Sequence, residues 1–353
     1  MSIETQEALV AWYIEQMSVV REQVDAAQQQ AFAAPAGDYT DEAVAAYVAT
    51  IVPVMAAAQA AVAQLTAAYL AYMVADMTGK AFGSVIPAAV DLARVTGAAA
   101  RNGAPPERVY RRPFEQVWTE IHELDEVAAT TDEPAVAPEL SRSEALTRDA
   151  DPRSEPQPAR RDESSTPEQR RERAMKSGER RARSTGLTDL QLTATRTAQD
   201  VLSANQSVVG YRRVLTGAEN CGMCVVAATR LYHKRNLLPI HTACDCVVAP
   251  VMAGEDPGRT LNNKLLQADA VPSAFNKHGV AVFDADQTID LGDLLQETHD
   301  AIAKRFGASF RDAKGIDYRK VITVRQHGEL GPVLTVSRHK FTKRQLRDNN
   351  LRA

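Results

Sequence analysis

All four cysteines of this chain fall within 26 positions, in two tight pairs. The first is Cys221-Gly222-Met223-Cys224, and the second closes the run His241-Thr242-Ala243-Cys244-Asp245-Cys246. Two close pairs on separate turns suit a tetrahedral Zn²⁺, which draws them together. The spacer in the first pair lets both sulfurs face one point, and Gly222 is free to take a positive φ there. The second pair is tighter, with His241 in reach of it. Five candidate ligands, Cys221, Cys224, Cys244, Cys246 and His241, thus compete for four places. The reading favours the four thiolates, with His241 beside them or in place of Cys244. The alternatives are disulfides, inert buried thiols, or a redox pair at Cys221 and Cys224, and a second pair so near favours metal. Four protein ligands leave no position for water, so the zinc is expected to be structural. Such a site contributes on the order of 10–16 kcal/mol to the folding of small zinc peptides. A place left open by His241 or Cys244 would restore a catalytic role.

The rest of the chain is read around that stretch. At 353 residues two or three domains are expected, and 44% apolar residues suffice for a core although aromatics are only 5%. A net charge of −4 gives no general reason to bind nucleic acid or an anionic membrane. The acidic start MSIETQEALV has no basic segment followed by an apolar core, so no export signal is expected, which fits reduced, metal-bound cysteines.

Residues 2–33 read as a helix, with Ala8, Leu9, Trp12, Ile14, Met17, Val20 and Val24 on one face. Ala34 to Asp38 breaks it, and Thr40-Asp41-Glu42 supplies a cap and early acids for a second helix. From Ala43 to Ala75 no residue is charged. The run is long enough to span a membrane, but it is mostly alanine and holds Pro53, Gln59, Gln64 and Thr66, so no stable membrane insertion is expected. It reads as two packed helices meeting near Pro53. Residues 84–100 suggest another helix and 102–106 a turn. Arg108 to Val127 resumes helix, with Val109, Phe114, Val117, Trp118, Ile121 and Leu124 apolar. His122-Glu123 lacks the second histidine of a zinc-protease helix.

Residues 131–167 carry six prolines among acids, arginines and serines, the composition of a disordered linker. Glu168 to Arg183 is basic with interleaved glutamates, which reads as a solvated helix face. Contact with nucleic acid or an acidic protein surface is the sharper alternative, and the lack of aromatics for base stacking weakens the nucleic-acid version. Helix continues over 188–206 with Leu190, Leu192, Ala198, Val201 and Leu202 toward a core. Val208 to Leu215 reads as a strand entering the cysteine stretch, Val225 to Tyr232 as a short helix, and Val247 to Ala249 as a returning strand.

The order Thr195-Arg196-Thr197-Ala198, Tyr211-Arg212-Arg213-Val214-Leu215, Cys221-Gly222-Met223-Cys224, Leu238-Pro239-Ile240-His241 and Cys244-Asp245-Cys246 resembles the MuF-type head morphogenesis proteins of tailed bacteriophages, most of all those in phages of actinobacteria. The specific resemblance covers roughly residues 185–252. The N-terminal third, with Pro105-Pro106-Glu107-Arg108-Val109-Tyr110-Arg111-Arg112-Pro113-Phe114, is similar to the same group. The linker is a departure, longer and more charged than the family suggests. The resemblance implies a minor capsid protein inside the procapsid and virion, made in the host cytoplasm. Its implied partners are the portal, scaffold and major capsid proteins. Some relatives carry the label capsid maturation protease, which makes peptide hydrolysis the alternative function. No Gly-x-Ser-x-Gly elbow or other nucleophile is marked out here.

In the C-terminal third, Val280 to Phe283 is strand-like. The Asp284-Ala285-Asp286-Gln287-Thr288 string after it matches a phosphatase motif without the context that motif needs. Asp290 to Phe306 suits a helix. Lys320 to Val324 and Val333 to Val336 read as paired strands, followed by a basic tail. The expected fold class is therefore α+β, mostly α. A helical N-terminal domain spans 1–130, a disordered linker 131–167, a helix plus zinc-clamped α+β module 168–253, and an α+β region 254–353.

Overall fold

A computed structural model describes residues 3–33, 40–80, 90–129, 166–216, 224, 227–234, 246–266, 271, 273–281, 322–327 and 329–336. The described chain is mostly helical with a small antiparallel sheet, in keeping with the expected class. Outside it lie the breaker at 34–38, the linker at 131–165, the phosphatase-like string, the proposed helix at 290–306 and the tail.

Helix α1 (Ile3–Ala33) buries Val10, Tyr13, Met17 and Val24 at three- to seven-residue steps, with Leu9, Trp12, Ile14 and Val20 at the edges of that stripe. Ala8, expected on the buried face, is exposed. Helix α2 (Asp41–Thr78) begins at Thr40, whose hydroxyl accepts from the Ala43 N–H. It ends at Gly79, which takes φ +64° so that its N–H and that of Lys80 return to the last carbonyls. It is one helix, not two meeting at Pro53. An interior proline costs about 3 kcal/mol. Here its ring is exposed, while Ile51 and Met55 on either side are buried, and alanine-rich flanks keep the helix running. By length and composition α2 could cross a membrane. In this fold its buried face, from Tyr47 to Val74, is the centre of the core.

The expected helix over 84–100 is described from Val90 onward and there consists of two single turns, α3 (Leu92–Val95) and α4 (Gly97–Ala100). Thr96 between them is extended, and Gly97 donates its N–H to the Gln59 side chain of α2 instead of to its own helix. The turn that follows has Asn102 and Gly103 both at positive φ. Helix α5 (Pro106–Ala129) buries Val109, Tyr110, Phe114 and Val117, but Trp118, expected on that face, is half exposed.

Helix α6 (Pro167–Ala204) starts where the linker was expected to end. Thr166 and Gln169 form a reciprocal capping box with Pro167 in the first turn. It packs on α1, α2 and α5. Two glycines permit this. A Cβ on Gly178 would stand 2.3 Å from Val117 Cγ2 and 2.9 Å from the Phe32 ring, and one on Gly186 would stand 3.1 Å from Val24. The basic run is partly spent on this packing. Arg183 pairs with Asp25 of α1, and Arg181 donates to Gln116 of α5 at 2.8 Å. Gly178→Ala should therefore cost about 2–3 kcal/mol through overpacking, more than its helix-propensity gain of about 1 kcal/mol returns. Urea unfolding followed by circular dichroism reads this, and a stabilised variant would show that the helices can part.

The sheet has the order β2-β1-β3, from β1 (Val208–Val214), β2 (Leu231–His233) and β3 (Val247–Met252), with both pairings antiparallel. Strand β2 corrects the helix expected over 225–232. The described helical residues there end at Ala228, and Leu231 and Tyr232 are strand, with Tyr232 stacked on Tyr211 across the register at 5.0 Å. Helix α7 (Pro257–Leu266) lies against β1 and β3. A hairpin, β4 (Ile322–His327) and β5 (Gly331–Val336), matches the expected strand pair.

The sequence reading set a helical domain at 1–130 apart from a module at 168–253. Instead one hydrophobic core runs from Val10 of α1 through α2, α5 and α6 to Val214, Cys224, Ala249 and Leu261.

Candidate metal centre

Strand β1 delivers the chain to the cysteine stretch, and each residue of its Tyr211-Arg212-Arg213 run has a distinct task. Tyr211 is fully buried in the stack with Tyr232. Arg212 is also fully buried. Its Nε lies 2.9 and 3.0 Å from the two Asp256 carboxylate oxygens, its Nη2 donates to Oδ2 at 2.6 Å, and its Nη1 donates to the Thr229 carbonyl at 2.9 Å. Asp256 Oδ1 also accepts from the Arg259 N–H at 3.0 Å, which caps α7. Gly258 lets that helix start lie on the Arg212 stem, since a Cβ there would be 3.0 Å from Arg212 Cβ.

Arg213 points Nη1 at the Cys246 sulfur, 3.4 Å away. Cys224 is buried, Cys246 is half-buried, and both are free of disulfide. Both belong to the continuous core. Cys221, Cys244 and His241 lie outside the described residues, and no group of three or more metal-ligating side chains occurs among those described. Sulfur is a soft donor of the kind zinc takes, and Cys224 and Cys246 are the described members of the expected set.

Asn262 of α7 joins the two flanks of the first cysteine pair. Fully buried, it accepts from the Leu215 N–H at 2.9 Å and donates to the carbonyls of Arg213 at 2.8 Å and Ala228 at 3.2 Å. Arg213 and Leu215 precede the pair, and Ala228 follows it. One side-chain amide thus fixes where the chain enters and leaves the Cys221–Cys224 turn. Sequence reasoning missed Asp256 and Asn262. The only local signal was Asp256-Pro257-Gly258, a helix-start pattern that says nothing of an arginine 44 residues away.

Behind the sheet, a cavity of about 50 Å³ is bounded by Tyr13, Thr66, Tyr69, Thr195, Arg213 and Cys246. Tyr13 stacks on Tyr69 at 4.6 Å and exchanges a 2.8 Å hydrogen bond with Thr66. Burial pushes the hydroxyls of Tyr13 and Tyr69 above the ordinary tyrosine range, so both stay neutral beside the cysteine stretch. Comparison of the chain with protein-family models, with curated proteins and with solved structures gives no match.

Proposed function

We propose that this chain is a MuF-like minor capsid protein of a tailed phage. It acts in head morphogenesis through protein contacts, with zinc as a structural clamp. Cys221, Cys224, Cys244 and Cys246 hold the metal, with His241 beside them. The observation that carries the reading is the ordered run of motifs from Thr195 to Cys246. In support, neither of the two cysteines whose surroundings are described is in a disulfide, one lies under a guanidinium, and Asn262 ties both flanks of the first pair. A clamp needs such fixed approaches. Zinc would supply cross-linking of the two turns, while Arg213 holds charge against Cys246 and Asn262 sets the spacing. The protein would sit in the procapsid interior against portal, scaffold or major capsid protein.

Purified reduced protein should carry about one zinc per chain, as a closed four-thiolate site implies. Cys224→Ser should lose the metal and fail to enter heads, whereas His241→Ala should keep both. Elemental analysis without zinc, or normal incorporation of the Cys224 variant, overturns the clamp. If His241→Ala heads form but their capsid proteins stay uncleaved, the maturation protease is the correct function.

A further inference from the structure

Far along the chain from the cysteines, Glu329 in the turn between β4 and β5 meets two arginines of the helical body. Arg112 of α5 faces its carboxylate with both terminal nitrogens, Nη1 at 2.8 Å from Oε2 and Nη2 on Oε1. Arg101, just after α4, adds Nη1 to Oε2 at 3.3 Å. Arg101 is only 5% exposed, and it is held from behind. Its Nε pairs with Asp189 of α6, and its Nη2 donates to the Thr185 carbonyl at 3.3 Å. The Tyr110 hydroxyl donates to the other Asp189 oxygen. Burial, and then the Asp189 charge, push Tyr110 well above the ordinary tyrosine range, so it remains a neutral donor. Arg101 is thus set by contacts of the helical body, before the hairpin arrives.

The hairpin side is different. Among the described elements, no helix or strand packs against β4 or β5 beyond isolated contacts, apart from the two strands on each other. The Glu329 ion pairs attach its turn to the helical body. A forked, bidentate arginine site matches one planar carboxylate. Asp189 already neutralises half of the arginine charge, which disfavours a doubly charged phosphate.

We propose that Arg101 and Arg112 form a carboxylate-binding site, filled here in cis by Glu329, at which an acidic side chain of a partner protein can replace the hairpin. The site is a docking point that the chain itself keeps covered.

The test uses the full chain and sodium propionate as the probe. Glu329→Ala should raise the exchange rate of the β4–β5 amides by about tenfold or more, the size expected for losing a charge-assisted pair. Arg112→Ala should do the same, and the double variant should add little. Propionate should raise the melting temperature of Glu329→Ala relative to sodium chloride of equal ionic strength. Phosphate should not, and neither wild type nor the double variant should respond. Unchanged hairpin exchange in Glu329→Ala overturns the covering role. A propionate effect equal in all variants, or none in Glu329→Ala, overturns the binding site.

Discussion

Asp256→Ala should destabilise the protein by about 3–5 kcal/mol, the cost of leaving a buried charge without its partner. Arg212 has no exposure through which water could replace the lost carboxylate. The same change removes the cap of α7, which adds about 1 kcal/mol. Because α7 carries Asn262, the damage reaches both flanks of the first cysteine pair. If the cysteines hold zinc as proposed, its affinity should fall along with stability. Asp256→Asn separates the contributions: the amide can still cap α7 and accept one guanidinium bond, so it should lose less than alanine while the charge is still missing. Replacing Arg212 and Asp256 together by leucines should recover much of the loss, since apolar substitutes for a buried ion pair are often neutral in stability. Urea titration at pH 7 with a competing zinc indicator reads both quantities. A loss under about 1 kcal/mol for Asp256→Ala would mean that water reaches Arg212.

What could be read in advance followed local chemistry. Thr40 before two acids and the strands on either side of the cysteines announce themselves within a few residues and are found, whereas of the stripe expected along α1 only Met17 and Val24 are buried. The mistakes share a cause. Pro53 breaks helices on local grounds, but α2 has core on both sides of it. Leu231 and Tyr232 fit a helical face until Tyr211 offers a stacking partner across a strand pair. Asp256, Asn262 and Glu329 were invisible because their partners lie 44, 47 and more than 200 residues away. Of the candidate centre, sequence supplied the cysteines and the Tyr211-Arg212-Arg213 run. It could not supply the side chains that hold them.

A protease site engineered between residues 130 and 165 should, once cut, leave both pieces bound to each other in a folded complex. Sequence composition alone suggested two separable halves. The structure instead has α6 packed against α1, α2 and α5, with Ala174, Ala182 and Leu190 buried along its length and Gly178 and Gly186 closing the distance. Arg183 with Asp25 and Tyr110 with Asp189 join the same two pieces through polar bonds. Either fragment alone would expose that entire face, so neither should unfold cooperatively when expressed singly, whereas co-expression should restore one sharp transition. The nicked complex should elute from gel filtration as a single species and come apart only in denaturant. A core shared in this way also changes what metal removal does. If zinc clamps the cysteine stretch as proposed, a chelator removes support from Cys224 and Ala249, which belong to the same cluster as α1 and α2, so the helices should lose stability too. Two fragments that separate after cutting, or helices that melt at an unchanged temperature without zinc, would show that the halves fold independently.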